Sequence, residues 1–348
     1  MQVAIIGLDI AKHVFQLHGT DTHGKVVLRR RLRRQEMVPF FANLPACTVG
    51  LEACGGAHYW ARRLTALGHT VRLMAPQFVK PFVKSNKNDA NDAEAICEAV
   101  ARPSMRFVPP KSVEQQDIQL LHRVRSRLVG ARTQIANQVR GLLMEYGIVL
   151  PQHIGQLRPR LPAVLEDESN ELTALGRRLI ASLYGELVKL DQRIDLLDAE
   201  LKAVYAASEP CQRIAAVEGI GLLTATAAVA AMSDGKVFSN GRQSAASLGL
   251  VPRQHSSGGK ARLFGISKRG DVYLRTLFIH GARSVVYRAS RKTDPRSVWI
   301  ADKQRRLGTS KACVAVANKN ARIAWSLIAR GEPYRRPGEV HCTVERMA

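Results

Sequence analysis

Apolar residues in the first hundred positions gather in short unbroken runs, whereas in the middle of the chain they recur every three or four residues. The first run, residues 3–12 (VAIIGLDIAK), predicts a strand buried on both faces in the middle of a mixed sheet. It ends on one carboxylate, Asp9, which is costly to bury unless a cation meets it. Residues 14–18 and 25–28 predict two further strands around a turn at residues 20–24 (TDTHG). A helix is expected over residues 37–44. Residues 47–52 (CTVGLE) form a second apolar strand ending on a carboxylate, Glu52. Residues 58–67 read as a helix closed by Gly68, and residues 70–74 as a strand stopped by Ala75-Pro76.

Three strands followed by helix, strand, helix and strand is the order of an RNase H-like α/β fold. Other α/β folds with an opening hairpin, the actin and sugar-kinase ATPases among them, share it. Those ATPases need glycine-rich phosphate loops, which the chain does not display. Residues 84–100 (KSNKNDANDAEAICEAV) add a helix capped by Asn88 or Asp89, with Asp89 and Asp92 three apart on one face. Asp9, Glu52, Asp89 and Asp92 thus stand at two strand ends and one helix start. Four converging carboxylates repel one another unless divalent cations neutralise them, and oxygen ligands suit Mg²⁺, which assists phosphoryl transfer. Taken singly, Asp89 and Asp92 also read as capping residues and Glu52 as a paired core acid.

Residues 102–111 contain Pro103, Pro109 and Pro110 and predict a linker. Leu121, Leu128, Ile135 and Leu142 then recur every seven residues. Leu183, Leu187, Leu190, Ile194, Leu197, Leu201 and Val204 alternate spacings of four and three, a coiled-coil seam. Residues 151–162, with prolines at both ends, are expected to break the pattern and turn the chain. The two runs read either as an antiparallel hairpin packing on itself or as a dimerisation arm.

In the last third, residues 217–230 (VEGIGLLTATAAVA) have the form of a helix-hairpin-helix, whose turn presents backbone N–H groups to phosphate; a plain helix connection is the commoner source of a GIG turn. Residues 239–249 predict a helix with Arg242 near its start, and residues 271–290 and 314–328 two more. Between them, residues 249–276 place Ser256, Ser257, Gly258 and Gly259 in a loop among Arg253, Lys260, Arg262, Lys268 and Arg269. Glycines let backbone approach a ligand closely, and the cations suit a phosphodiester. A serine here either attacks phosphorus, with arginines stabilising the developing charge, or belongs to an ordinary flexible turn. Residues 29–34 carry five arginines around Leu32, either a solvated edge strand or a ribbon that contacts phosphates. The final residues predict a loose tail.

Charge narrows the class. Across 348 residues the formal net charge is +23 and the pI about 10.4, a field that attracts polyanions, nucleic acid before an anionic membrane surface. No apolar run reaches 18 residues and no secretory signal is evident, so a cytoplasmic protein is expected. The six cysteines are scattered without a CxxC pair, which argues against a disulfide framework or a zinc site.

Five motifs, GLDIAK, GLEACGG, NKNDANDA, VEGIG and GLVPRQHSSGGKARLFGISKRGDVYLR, resemble in the same order those of DEDD-type insertion-sequence transposases of the one-ten family, closest to its one-one-one-one subgroup. The resemblance runs from Val3 to about Arg330. It implies a RuvC-like DEDD domain over residues 1–108, a coiled-coil helical arm over 109–208, a mostly helical transposase domain over 209–332 and a loose tail over 333–348. It further implies Mg²⁺ held by Asp9, Glu52, Asp89 and Asp92, and Ser257 as the nucleophile that becomes linked to DNA, with Ser256 its adjacent alternative. The partners implied are donor and target DNA, a structured noncoding guide RNA and further copies of the chain, a dimer assembling to a tetramer on DNA. Two other readings remain open at this point: a RuvC-like structure-specific endonuclease using water, and a non-catalytic nucleic-acid-binding protein.

Overall fold

The computed structural model describes residues 2–84 and 88–336. The chain forms two compact units that divide between Gln115 and Gln116.

The first unit is built on a six-stranded sheet of order β3-β2-β1-β4-β5-β6. Strands β1 (Ile5–Ile10), β2 (Val14–Thr20) and β3 (Val26–Arg33) form the opening antiparallel meander, and β4 (Thr48–Glu52) and β5 (Thr70–Met74) continue it in parallel. β1 is central, as its continuous apolar run requires, with Ile6 and Leu8 fully buried. Helices α1 (Met37–Ala42) and α2 (Ala57–Ala66) connect the strands, and the short α3 (Pro76–Val79) leads toward α4 (Asp89–Val100). The meander and parallel strands match the RNase H-like order expected. One element was not foreseen: the proline-rich stretch expected as a linker contains β6 (Phe107–Val108), which pairs antiparallel with β5. Prolines 103, 109 and 110 flank it and so cost no ladder hydrogen bond.

The arginine run lies on the edge strand β3 and the first residue after it. Arg29, Arg30, Arg31, Arg33 and Arg34 are exposed while Leu32 is buried. Charges along an edge discourage pairing with another sheet. Two of them also pack on aromatics, Arg30 over Phe40 and Arg34 over Trp60.

The second unit begins with a helical pair. Helix α5 (Val113–Met144) and helix α7 (Ala174–Ala206) run antiparallel, with Arg125 paired to Asp198 and Arg132 to Asp191. Ile180, Leu187, Ile194 and Leu201 are buried at strict heptad spacing, and the alternate seam positions are half-buried. On α5 the expected repeat drifts. Leu128 is buried, but Leu142 faces solvent and Leu143 takes its place, because 3.6 residues per turn departs from a seven-residue repeat over four heptads. The expected break at residues 151–162 is itself helical: α6 (Ile154–Glu166) runs through Pro159 and Pro162 and buries Leu157 and Leu161 against the pair.

Helices α8 (Glu209–Ala215), α9 (Leu222–Met232) and α10 (Gly241–Ser247) follow. Then come strands β7 (Pro252–Gln254) and β8 (Leu263–Ile266), and helices α11 (Val272–Ala289), α12 (Pro295–Leu307) and α13 (Thr309–Arg330). α12 was not predicted; Asp294 caps it, accepting from the backbone N–H of Arg296 and Ser297, and Pro295 opens it. The GIG turn is packed inside this bundle. The Glu218 carbonyl accepts from Arg296 and Asn320, and a Cβ built at Gly281 would lie 1.9 Å from the Gly219 carbonyl oxygen. That is the plain helix connection. Tyr334, in the stretch expected to be loose, packs against the C-terminal core and meets Arg296 through its hydroxyl; residues 337–348 lie outside those described.

The arm is tied to this bundle by buried His122 of α5. Its ring nitrogens lie 2.9 Å from the Tyr273 hydroxyl and 3.0 Å from that of Thr226. Thr226 donates to the Leu222 carbonyl, so its oxygen accepts from His122 Nε2–H, and Nδ1 accepts from Tyr273. Burial, with the charge of Arg125, pushes the imidazole down to about 4.

Candidate functional sites

The carboxylates are assembled by two glycines. Gly7 in β1 and Gly50 in β4 leave bare backbone on the face where α4 docks. A Cβ built on Gly7 would stand 2.1 Å from the Ala93 carbonyl oxygen and 2.4 Å from the Cys97 nitrogen, and one on Gly50 would stand 2.7 Å from Val100. The helix therefore rests on the strands, with its acidic first turn one turn before Ala93. Of the two capping residues expected, Asn88 is the cap, its side chain accepting from the Asn91 N–H. That leaves Asp89 and Asp92 in the first turn. Ser85, Asn86 and Lys87 of the same motif lie outside the described residues.

Asp9 reports the result. Its pKa is raised to about 6, first by burial and then by the charges of Asp89, Asp92 and Glu52. The other three predicted carboxylates thus all act on Asp9. They are within electrostatic reach rather than in a ligation shell: among the described residues, no three His, Cys, Asp or Glu side chains are drawn tightly enough to hold an ion. The donor set nonetheless fits a hard divalent cation, because it is all oxygen and its mutual repulsion is what such an ion relieves.

In the second unit, the serine loop is a β-hairpin. Gly258 and Gly259 have φ of 56° and 75°, and Lys260 N–H donates to the Ser257 carbonyl at 3.0 Å. Positive φ at both central residues is the two-residue turn that matches strand twist. Ser257 pairs with Lys260, and the His255 N–H donates to the Arg262 carbonyl. Residues that pair or lie two apart share a face, as do His255, Ser257, Lys260, Arg262 and Phe264, which together with Ser256 line one pocket of about 760 Å³. The pocket brings Lys260 and Arg262 beside Ser257. Arg253, Lys268 and Arg269 are not among its lining residues.

The two serines differ. The Ser256 hydroxyl accepts from Gln254 Nε2 at 2.8 Å and from the Arg262 N–H at 3.3 Å, bracing the hairpin. The Ser257 hydroxyl has no protein partner among the described residues. His255 and Phe264, in edge-to-face contact at 5.4 Å, were missed in the sequence. Their signal was the alternation H-x-S-G-G-K-x-R-x-F, legible only once the glycines are read as a tight turn.

The hairpin's base is held rigidly. Buried Arg275 donates to the Leu248 and Arg269 carbonyls at 2.9 and 2.8 Å. Lys268 sits at φ 54°, an uncommon conformation for a side-chain-bearing residue, and its N–H donates to the Gly249 carbonyl.

Two family models match the chain: a DEDD transposase domain of the IS110 type over residues 6–148, and "Transposase IS116/IS110/IS902 family" over residues 211–297. The chain is 54% identical to a "Probable family 20 transposase" of Pseudomonas aeruginosa, over 97% of this chain and all of the relative. It is 49% identical to the "Transposase for insertion sequence element IS1111A" of Coxiella burnetii, over 96% and 92%. It is 42% identical to that for element IS1328 of Yersinia enterocolitica, over 96% and 99%. A DEDD domain implies an RNase H-like fold and a divalent metal ion, in keeping with the sheet order and the four carboxylates. No helix among the described residues is long and apolar enough to cross a membrane. The chain belongs to the IS110/IS116/IS902 family of insertion-sequence transposases, enzymes that act on DNA.

Proposed function

We propose that this transposase cleaves and exchanges DNA strands with Ser257 as nucleophile, aided by Mg²⁺ on Asp9, Glu52, Asp89 and Asp92. In the cleavage step the Ser257 Oγ–P bond forms and a phosphorus–deoxyribose oxygen bond breaks. The hydroxyl proton passes to a base, for which His255 lines the same pocket, and the leaving oxygen takes up a proton. Lys260 and Arg262 neutralise charge on the non-bridging oxygens. A divalent ion on the four carboxylates would supply Lewis-acid stabilisation of phosphoryl charge. Joining reverses the step with a new deoxyribose hydroxyl.

The observation that carries this reading is the contrast between the serines, which line the same cationic pocket: the Ser256 hydroxyl braces the hairpin, whereas that of Ser257 has no protein partner among the described residues. Incubation with element-end DNA and Mg²⁺, followed by a denaturing gel, tests it. Ser257→Ala is expected to lose the covalent adduct and Ser256→Ala to keep most of it. Cleavage without an adduct would instead favour water as nucleophile.

The resemblance and the 49% identity to the IS1111A transposase support placement in the one-one-one-one subgroup. The resemblance alone supports a guide RNA that chooses the site and an assembly of dimers into a tetramer on DNA. Rewriting the RNA's pairing segments, with the protein unchanged, should redirect recombination. Continued use of the original site would mean the protein reads the DNA itself.

A further inference from the structure

A second concavity of this unit, about 1020 Å³, is separate from the serine pocket. It lies among α10, α12, α13 and the base of the β7–β8 hairpin. Its lining includes Arg242, Lys311, Lys319 and Arg322, the indoles of Trp299 and Trp325, and no aspartate or glutamate.

None of the four cations has an ion-pair partner among the described residues. The nearby buried Arg296 adds a like charge, and it donates to neutral acceptors: Asn320 Oδ1, the Glu218 carbonyl and the Tyr334 hydroxyl. The Glu218 carboxylate is engaged elsewhere, by Lys292 at 2.7 Å. Lys319 is held 4.3 Å over the Trp299 ring, and burial, then Arg296 and Arg322, lower its pKa. Gathering uncompensated cations costs free energy that an anionic ligand would return.

The rings are equally prearranged. The Trp325 Nε1–H donates to the Gly235 carbonyl at 2.8 Å, which fixes its plane. Asn318 uses its Nδ2 on the Leu250 carbonyl, which leaves Oδ1 as an acceptor. Lys311 and Arg322 are eleven residues apart on α13, about 16 Å of helix axis at 1.5 Å per residue. A strand of nucleic acid advances about 3.4 Å per nucleotide in B-form, so the row of cations matches a few consecutive phosphates. A duplex would keep its base faces stacked internally, whereas a single strand offers them to aromatic rings.

We propose that this cleft binds a single nucleic-acid strand, its phosphodiester backbone on Arg242, Lys311, Lys319 and Arg322 and a base against Trp325. Pro252 and Ile266 at the hairpin base belong to the same lining. Ser257 is five residues along from Pro252, about 16 Å of extended chain, so a strand leaving the cleft is directed along the hairpin. The site goes beyond the serine chemistry and holds whether or not Ser257 is a nucleophile.

The test is fluorescence anisotropy of labelled dT8 and U8 on the full chain across a salt series. The variants are Lys311→Gln/Lys319→Gln/Arg322→Gln, Trp325→Leu and, as reference, Ser257→Ala. The triple variant should weaken binding at least tenfold and flatten the salt dependence by about two log units per log unit, about 0.7 for each of three lost phosphate contacts. Trp325→Leu should weaken binding about five- to tenfold, at the lower end of base–aromatic stacking, with the salt slope kept. Circular dichroism and thermal melting select variants that fold. Tight binding of dT8 or U8 identifies DNA or RNA as the source, and either supports the site. A folded triple variant with unchanged affinity and slope overturns it. So does equal, equally sensitive binding of an eight-base-pair duplex, or equal competition by polyglutamate. Ser257→Ala should bind as the parent does, so loss of the adduct and loss of strand binding report separate failures.

Discussion

Replacing Gly7 by alanine tests how the carboxylates are brought together. The new methyl would sit 2.1 Å from the Ala93 carbonyl oxygen, 2.4 Å from the Cys97 nitrogen and 2.8 Å from the Cys97 Cα. All three are backbone atoms of α4, so no rotamer change can relieve them. An ordinary contact needs at least 3.4 Å, so the helix must retreat from β1 by roughly 1 Å. Overpacking of a tight core costs about 1–3 kcal/mol, and a backbone clash belongs at the upper end. For a unit of this size about 3 kcal/mol lowers the melting temperature by roughly 10 °C. The same retreat carries Asp89 and Asp92 away from Asp9, and an ångström of misplacement can cost about a hundredfold in rate. Gly50→Ala is the comparison: the three atoms nearest its methyl all belong to the Val100 side chain, at 2.7–3.0 Å, so its effect should be milder on both counts. Thermal denaturation and strand-cleavage assays on the two variants decide the matter. If Gly7→Ala melted and cleaved like the parent, close docking of α4 would not be what assembles the carboxylates.

Two further outcomes follow from charge. Asp9→Asn removes a carboxylate whose folded-state pKa is raised to about 6. In the parent, the penalty for ionised Asp9 is present above pH 6 and is relieved as pH falls toward 3.8. The amide should therefore stabilise the fold by about 1–2 kcal/mol at pH 7, after allowance for solvent screening, and by nothing near pH 3.5. Metal-dependent cleavage should be lost in the same variant; urea titrations at both pH values and a cleavage assay check this. For His122 the sign is opposite: its folded-state pKa is depressed to about 4, so as pH falls from 6.5 the unfolded chain takes up a proton that the folded chain refuses. Stability should fall by about 3 kcal/mol between pH 7 and pH 4 on this account. Because His58 is likewise depressed to about 4 by burial and by Lys111 and Arg62, the measurement is the difference between parent and His122→Gln, which should lose less stability over the same range. Parallel losses would remove His122 from the account.

The features legible in the residues alone were local. Continuous apolar runs marked β1 and β4, and the carboxylates ending them stood out because a buried strand tolerates an acid only at its end. Asn88 announced the α4 cap by its side-chain chemistry, and the seven-residue repeat on α7 announced its buried face. The motifs were legible for the same reason, as contiguous residues with particular chemistry. Tertiary structure alone decided the rest. β6 has two residues and no pattern of its own; it exists because β5 offers an open edge. α6 passes through prolines because its apolar face is covered by the helical pair. Two adjacent serines are equivalent in sequence, and only the folded hairpin makes one hydroxyl a brace and leaves the other without a protein partner among the described residues. The cationic cleft draws Arg242 and the α13 cations from positions some seventy residues apart. Such groupings have no local signature, because they depend on which surfaces fit together and not on the spacing of residues along one element.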